Sequence, residues 1–334
     1  MRFLVIGGAG YIGSHFILEA ARQGHECVVY DNLSRGHRAA IPPKVRLVEA
    51  DIMDAGALTR CLRETRFDAV FHFAALALVG ESVSQPDLYY RNNTEGVRIL
   101  LDVIREVQPD LPLIFSSTCA VFGTPEKLPI AEDDPKNPIS PYGRSKLMAE
   151  WLMEDYCRAY GLKGMALRYF NACGAEASGE CGEDHQPETH LIPNILKAVA
   201  AGEQLTIFGK DFPTADGTCV RDYIHVLDLA DAHIKAALYL MKQKTGTFDA
   251  MHLGTGRGFS NLEVVDATAK VIGKPISYKV GERRAGDPPA LYADNRKAKR
   301  LIGFDPQRSN LETILTSATK WHQSHPRGYH AQPR

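Results

Sequence analysis

The sequence has no excess of either charge. Among 334 residues, 39 Lys and Arg stand against 40 Asp and Glu. With no basic block, no nucleic-acid partner is expected, and no acidic tail is present. An anionic ligand must be held by local groups rather than by a global field. Long apolar runs are also missing. The longest, residues 69–80, is broken by His72 and is too short to span a bilayer, so no membrane partner is expected. No basic leader with a cleavage site precedes the apolar run Arg2-Phe3-Leu4-Val5-Ile6, which points to a cytoplasmic protein. The seven cysteines (Cys27, Cys61, Cys119, Cys157, Cys173, Cys181, Cys219) include no CxxC or zinc-like spacing. They read as reduced thiols, and no metal is expected. Internal repeats and low-complexity segments are absent.

What is present is an ordinary globular composition, 44% hydrophobic and 24% charged. Short apolar segments at 3–6, 27–30, 45–48, 69–73, 113–116 and 165–168 read as strands. Helical patterns lie between them at 11–23, 56–65 and 92–107. Such alternation predicts an α/β fold, a Rossmann-type doubly wound parallel sheet. After Asn171 the texture changes to a loop rich in Gly, Glu, Asp and His. We therefore expect a dinucleotide-binding domain over 1–172 and a smaller mixed α/β substrate domain over 173–325. Segments 220–225 and 251–254 look like strands able to return to the first sheet or its edge. Residues 326–334 are expected to fray.

The segment Gly7-Gly8-Ala9-Gly10-Tyr11-Ile12-Gly13 follows a strand and opens a helix. A pyrophosphate needs this spacing: a tight turn, close backbone approach, and free N–H groups at a helix N-terminus. Asp31 ends the second strand, where a carboxylate binds ribose hydroxyls and repels a 2′-phosphate; this favours NAD over NADP. Asp51 and Ile52 end the third strand, suited to packing on adenine. Phe73, Ala74 and Ala75 end the fourth, where small residues let a cofactor lie near the backbone.

Tyr142 and Lys146 stand i, i+4 after Ser140-Pro141, and Pro141 suits a first helical turn. A free phenol, with a pKa of about 10, is a poor base at neutral pH. A cation about 4 Å away, at an effective dielectric near 20, contributes roughly 4 kcal/mol, or about three pKa units. Tyr142 is thus expected to act as a base near neutrality. Thr118, ending Leu113-Ile114-Phe115-Ser116-Ser117-Thr118, can hydrogen-bond the same substrate oxygen.

Further segments join these: Tyr30-Asp31-Asn32-Leu33, Val79-Gly80-Glu81-Ser82, Leu167-Arg168-Tyr169-Phe170-Asn171, Val220-Arg221-Asp222-Tyr223-Ile224-His225-Val226 and Arg283-Arg284-Ala285-Gly286-Asp287. Together with the glycine turn and Tyr142-Gly143-Arg144-Ser145-Lys146, they resemble the extended short-chain dehydrogenase/reductase family. Within it they resemble the UDP-glucose 4-epimerase branch, over nearly the whole chain to about Trp321. The resemblance implies NAD held by Gly7, Gly10, Tyr11, Ile12, Gly13, Asp31, Asn32, Asp51, Ile52, Phe73, Ala74, Ala75, Asn92 and Lys146, with Tyr169 near the nicotinamide. It implies a UDP-sugar held by Asn171, Phe208, Arg221, Arg284 and Asp287, with His190, Leu191 and Tyr223 in the substrate set. Two guanidinium groups suit a pyrophosphate clamp. Leu291, four places after Asp287, would border the sugar and set pocket width. The family also implies a homodimer through the helices around 92–107 and 141–160. Two departures stand out: Ala77 replaces a common lysine, and His190 replaces a common asparagine.

The implied reaction removes the 4-OH proton through Tyr142, moves hydride from C4 to NAD, turns the 4-keto sugar and returns hydride to its other face. A 4,6-dehydratase would carry acidic residues after the threonine; here Thr118 precedes Cys119 and Ala120. Another UDP-sugar (an N-acetylhexosamine, pentose or uronate) is an alternative substrate. A catalytically inactive NAD-binding regulator is the alternative of another class, and it would be expected to lose the tyrosine or lysine.

Overall fold

The computed structural model describes residues 1–284 and 287–329. Ala285 and Gly286, within one motif quoted above, and residues 330–334 of the expected tail lie outside the described residues. Seven parallel strands form the main sheet, in the order Phe248–Leu253, Gly164–Tyr169, Leu113–Thr118, Ala69–His72, Arg2–Ile6, Glu26–Asp31, Arg46–Glu49. Phe3, Leu4, Val5 and Ile6 are at most 1% exposed, as a strand covered on both faces requires. On one face the helices Tyr11–Arg22 and Val226–Met241 bring Phe16, Ile17, Ala230 and Ile234 against Phe3, Val5 and Phe71. On the other, Ala55–Glu64, Gly96–Val107 and Pro141–Tyr160 bring Leu58, Leu100 and Met153 against Leu4, Ile6 and Phe115. This is the doubly wound fold that the alternation predicts. The strand order reverses between Arg2–Ile6 and Ala69–His72, and ligands bind such sheets outside the C-terminal strand ends at that reversal.

Local chemistry sets the helix ends. Asp54 accepts from the Ala57 N–H, Ser140 accepts from Gly143 with Pro141 in the first turn, and Gly161 closes the long helix at φ 76°. The helix expected over 92–107 begins instead with a π-helical turn, Tyr90–Glu95, before Gly96–Val107.

Two later segments behave differently from each other. Phe248–Leu253 joins the main sheet beside Gly164–Tyr169. The expected strand at 220–225 splits: Val220–Arg221 pairs with Phe259–Ser260 and Ala290–Leu291, while Tyr223–His225 pairs with Asn171–Cys173. Asp222 is the cause. Fully buried, its carboxylate accepts the N–H groups of Thr255, Gly256 and Ala293, so the chain must turn around it. A second apolar core gathers Ile195, Leu205, Tyr223, Val264 and Ile314 beneath the helices Leu191–Ala201, Asn261–Ile272 and Leu311–Ser324. The chain end is held as far as Tyr329, whose N–H donates to Asp184 Oδ2 at 3.0 Å and whose ring stands 4.8 Å from Trp321. The expectation of fraying therefore fails for 326–329, because an aromatic anchor was hidden among turn-forming residues. No described helix is long and apolar enough to cross a membrane.

Candidate active site

The glycine turn sits at the strand-order reversal. Gly7 has φ +80°, and a Cβ there would lie 2.4 Å from the Ala74 nitrogen. A Cβ on Gly13 would lie 2.3 Å from the Gly7 carbonyl oxygen. Both positions accept only hydrogen, and the first brings the Phe73–Ala75 strand end against the turn. Asp31 accepts from Ala9 N at 2.9 Å and Leu33 N at 2.8 Å. Burial pushes its carboxyl up, and these two N–H bonds oppose that. Asn32 donates to Asp51 Oδ2 at 2.7 Å, joining the ends of the second and third strands. Ile52 is buried in the core beside Gly96. Ile12 packs against the other core, and the Tyr11 hydroxyl donates to the Gly174 carbonyl at 2.6 Å.

Across the reversal, Asn92 Nδ2 donates to Asn93 Oδ1 at 2.9 Å and reaches the Ala74 carbonyl at 3.4 Å. The fully buried Asn93 accepts from Leu76 N, donates to Leu76 O, and donates to Ser145 Oγ at 3.1 Å. It thereby fixes the fourth strand end to the helix that carries Tyr142 and Lys146. Ala77 itself is exposed.

Thr118 Oγ1 accepts the Ala120 N–H at 3.1 Å, and its hydroxyl lies near enough to the Tyr142 phenol to pull it down. Lys146 Nζ donates to the Ser116 carbonyl at 2.8 Å and stands 4.6 Å above the Phe115 ring. Burial pushes the phenol up, against the pull of the Thr118 hydroxyl, and brings the ammonium down to about 7. Lowering of Tyr142 was expected from Lys146 together with the positive nicotinamide ring; in the protein without cofactor, loss of water around the phenol is the largest effect on it. Burial likewise pushes Tyr169 up to about 12, with the nearby Ser116 hydroxyl pulling the other way.

Glu150, one turn beyond Lys146, is buried against Arg168. Arg168 donates from Nε to Glu150 Oε1 at 3.0 Å and from a terminal nitrogen to Oε2 at 2.6 Å, while Ser117 Oγ lies 2.5 Å from Oε1. The pair ties the helix to the strands ending in Thr118 and Tyr169. Glu150→Ala leaves an uncompensated buried guanidinium and is expected to cost about 3–5 kcal/mol. Chemical denaturation checks this, and a loss below 1 kcal/mol would refute the structural role.

Beyond the sheet, four expected substrate residues converge. The Arg284 guanidinium stacks 4.3 Å over the Phe208 ring, and Arg221 stands 3.8 Å from Asp287. Arg221 also donates to the carbonyls of Val220 and Pro288, which hold its fork in place. Asn171 is paired with Tyr223 in the parallel strands beside them. Three other expected substrate residues are engaged with protein. Tyr223, 3% exposed, packs in the second core. Leu291, 7% exposed, packs with Cys119, Phe122, Ile130 and Phe170. His190 occupies the N-cap position of Leu191–Ala201 without capping it; its Nδ1 lies 2.5 Å from Glu183 Oε1. Leu191 packs against the second core.

A family model described as the NAD dependent epimerase/dehydratase family matches residues 3–248. The chain belongs to that family. Within this epimerase/dehydratase family it is 49% identical to a UDP-glucose 4-epimerase of Lactobacillus helveticus, over 98% of this chain and 99% of the relative. Its structure resembles that of UDP-glucose 4-epimerase from Brucella ovis in complex with NAD, at 49% identity and TM-score 0.91, covering 95% of this chain and 97% of that one. It also resembles the Bifidobacterium longum UDP-glucose 4-epimerase in complex with NAD+ and UDP, at 36% identity and TM-score 0.92, covering 98% and 100%.

Asn93, Ser145, Glu150 and Asp222 are site-building residues that the sequence reading passed over. One signal for the first three was available: each is a polar side chain in the buried stripe of an otherwise amphipathic helix. A polar group in such a stripe must find a partner.

Proposed function

We propose that this chain interconverts UDP-glucose and UDP-galactose, with NAD as resident cofactor. The observation that carries the reading is Tyr142 and buried Lys146 one turn apart on Pro141–Tyr160, with Lys146 fixed to the strand that ends in Thr118, two strands from the one that feeds the glycine turn. The hydrogen-only positions Gly7 and Gly13 keep the turn tight, since a Cβ at either would run into protein backbone, and such a turn fits a dinucleotide. Gly7, Gly10 and the start of the helix Tyr11–Arg22 hold the pyrophosphate, and Asp31 takes the adenosine ribose. Bound there, NAD would supply the hydride acceptor and donor for C4 and a positive charge beside Tyr142. Tyr142 takes the 4-OH proton and later gives it back, while Thr118 holds the same oxygen. Arg221, Arg284 and Asp287 grip the nucleotide, leaving the hexose free to turn. The deciding experiment is incubation of the purified chain with UDP-galactose, followed by NMR of the sugar. UDP-glucose at equilibrium supports the proposal, and unchanged UDP-galactose refutes it.

Asp31→Ala is expected to release NAD at least tenfold faster and to narrow the preference for NAD over NADP, because the ribose loses its acceptor. Nucleotide released on acid precipitation reports the first effect, and titration of the emptied protein the second. An unchanged preference would remove Asp31 from cofactor selection.

We propose a cytoplasmic homodimer joined through the helices Gly96–Val107 and Pro141–Tyr160. What supports this is apolar surface on the second helix: Met148, Trp151 and Tyr160 are 41%, 56% and 51% exposed. Trp151→Glu is expected to halve the mass seen by light scattering. A variant that keeps the native mass would place the interface elsewhere.

A further inference from the structure

Glu183, His185, Glu188 and His190 lie in the loop between the two cores. Their spacing matches no zinc pattern, since each like pair is five residues apart and no helix carries them. The fold nevertheless brings one ligand atom from each to within 4.8 Å of all the others. His190 Nδ1 and His185 Nδ1 lie 2.5 and 3.3 Å from Glu183 Oε1. The same two nitrogens lie 3.7 Å from the Oε1 and Oε2 atoms of Glu188, respectively. The two glutamate side chains are only 5% and 4% exposed.

A second observation is independent of this convergence. His185 Nδ1 and Glu188 Oε2 are both buried, and neither makes a hydrogen bond. They are 3.7 Å apart, too far to satisfy each other. Lys197 Nζ is 4.0 Å from the same carboxylate oxygen, also beyond reach. Glu188 is not free to turn away, because its Oε1 accepts the N–H groups of Thr189 and His190. Four protein ligands around zinc, with bonds of about 2.0–2.2 Å, stand on tetrahedron edges of roughly 3.3–3.6 Å. The unpartnered pair has nearly that separation.

We propose that these four side chains bind one zinc-class divalent ion, through Nδ1 of both histidines and one oxygen of each glutamate. Two carboxylates balance the charge of the ion with both imidazoles neutral. Without an ion, the same buried carboxylates require two imidazolium rings whose centroids are 5.2 Å apart. Imidazole ligands select zinc-like ions over magnesium or calcium. Four protein ligands leave no open position, so the ion is structural. It clamps the loop at a sensitive place. His185 meets the Tyr11 ring edge-on at 6.0 Å, and Tyr11 lies in the dinucleotide turn. The Glu183 carbonyl accepts from Trp321 Nε1 at 3.3 Å. The ion thus joins the glycine turn to the C-terminal helix. The expectation of no metal rested on cysteine spacing, which does not bear on a set of histidines and glutamates.

The test uses the untagged full chain, dialysed against zinc and then against metal-free buffer, with metal measured by plasma mass spectrometry. About one zinc per chain is expected, together with a higher thermal midpoint than in chelator-treated protein. His185→Gln and Glu188→Gln are expected to lose the stoichiometric zinc and its thermal effect. Should those variants fail to fold, cobalt added to the chelator-treated native chain decides through the intense visible absorption of tetrahedral cobalt. Less than a tenth of an equivalent of zinc, with no thermal response and no cobalt band, overturns the proposal. The readouts are independent of epimerisation, so a failure here leaves the proposed reaction standing.

Discussion

Tyr142→Phe is expected to lower turnover about 10²–10⁴-fold while leaving NAD and UDP-sugar binding nearly intact. The substitution removes one oxygen and little volume, so the helix Pro141–Tyr160 and its packing survive. What disappears is the phenol hydroxyl beside Thr118 that would take the 4-OH proton. In the protein alone, burial holds the phenol high and the nearby ammonium down at about 7. Activation then depends on countercharge from the bound cofactor rather than on the lysine alone. This predicts that activity falls on the acid side as the phenol gains its proton. The check is a kcat and KM measurement on the variant with its NAD content verified. A variant within tenfold of native turnover removes Tyr142 from the proton transfer.

Gly7→Val is expected to yield protein without NAD and without activity. Two costs coincide at this residue. Its φ of +80° is strained for any side chain and worst for a β-branched one, and a Cβ would overlap the Ala74 backbone at 2.4 Å. Neither contact is the far end of a flexible side chain, so the strand end Phe73–Ala75 must move away from the turn. That movement removes the surface on which the cofactor lies. Acid extraction of the purified variant checks the NAD content, and circular dichroism checks that the sheet persists. NAD retained at native stoichiometry would show that the turn does not cradle the dinucleotide.

The first sheet was legible in the sequence because its physics is local. Val5, Val29, Phe71 and Ile114 lie in short apolar runs separated by amphipathic helices, and the runs correspond to strands within a residue or two. The glycine turn was legible for the same reason, since it is a contiguous strand–turn–helix signature. The tyrosine–lysine pair was visible from helix periodicity, but its electrostatics were not. The turning of Lys146 to the Ser116 carbonyl depends on the strand beneath it. Asp222 shows the other limit. Its three backbone partners come from segments more than thirty residues away, and no local pattern announces that a buried carboxylate will divide a strand. Leu291 and Tyr223 were read from motif position alone, which says nothing of whether a side chain is already enclosed. The Glu183–His190 cluster was hidden because its ligands converge through a loop rather than along a helix.

The late arrival of Phe248–Leu253 in the main sheet bears on how the chain is made. When Tyr169 has left the ribosome, the strand Gly164–Tyr169 presents one bare edge, and its permanent neighbour has not been synthesised. At about 5–20 residues per second, that neighbour follows on the order of ten seconds later. Throughout this interval the nascent sheet exposes hydrogen-bonding groups and apolar side chains to other chains, the condition under which edges pair wrongly. Production of this protein should therefore respond to chaperone supply and to codon-dependent pauses between 170 and 247, more than to changes in the first hundred residues.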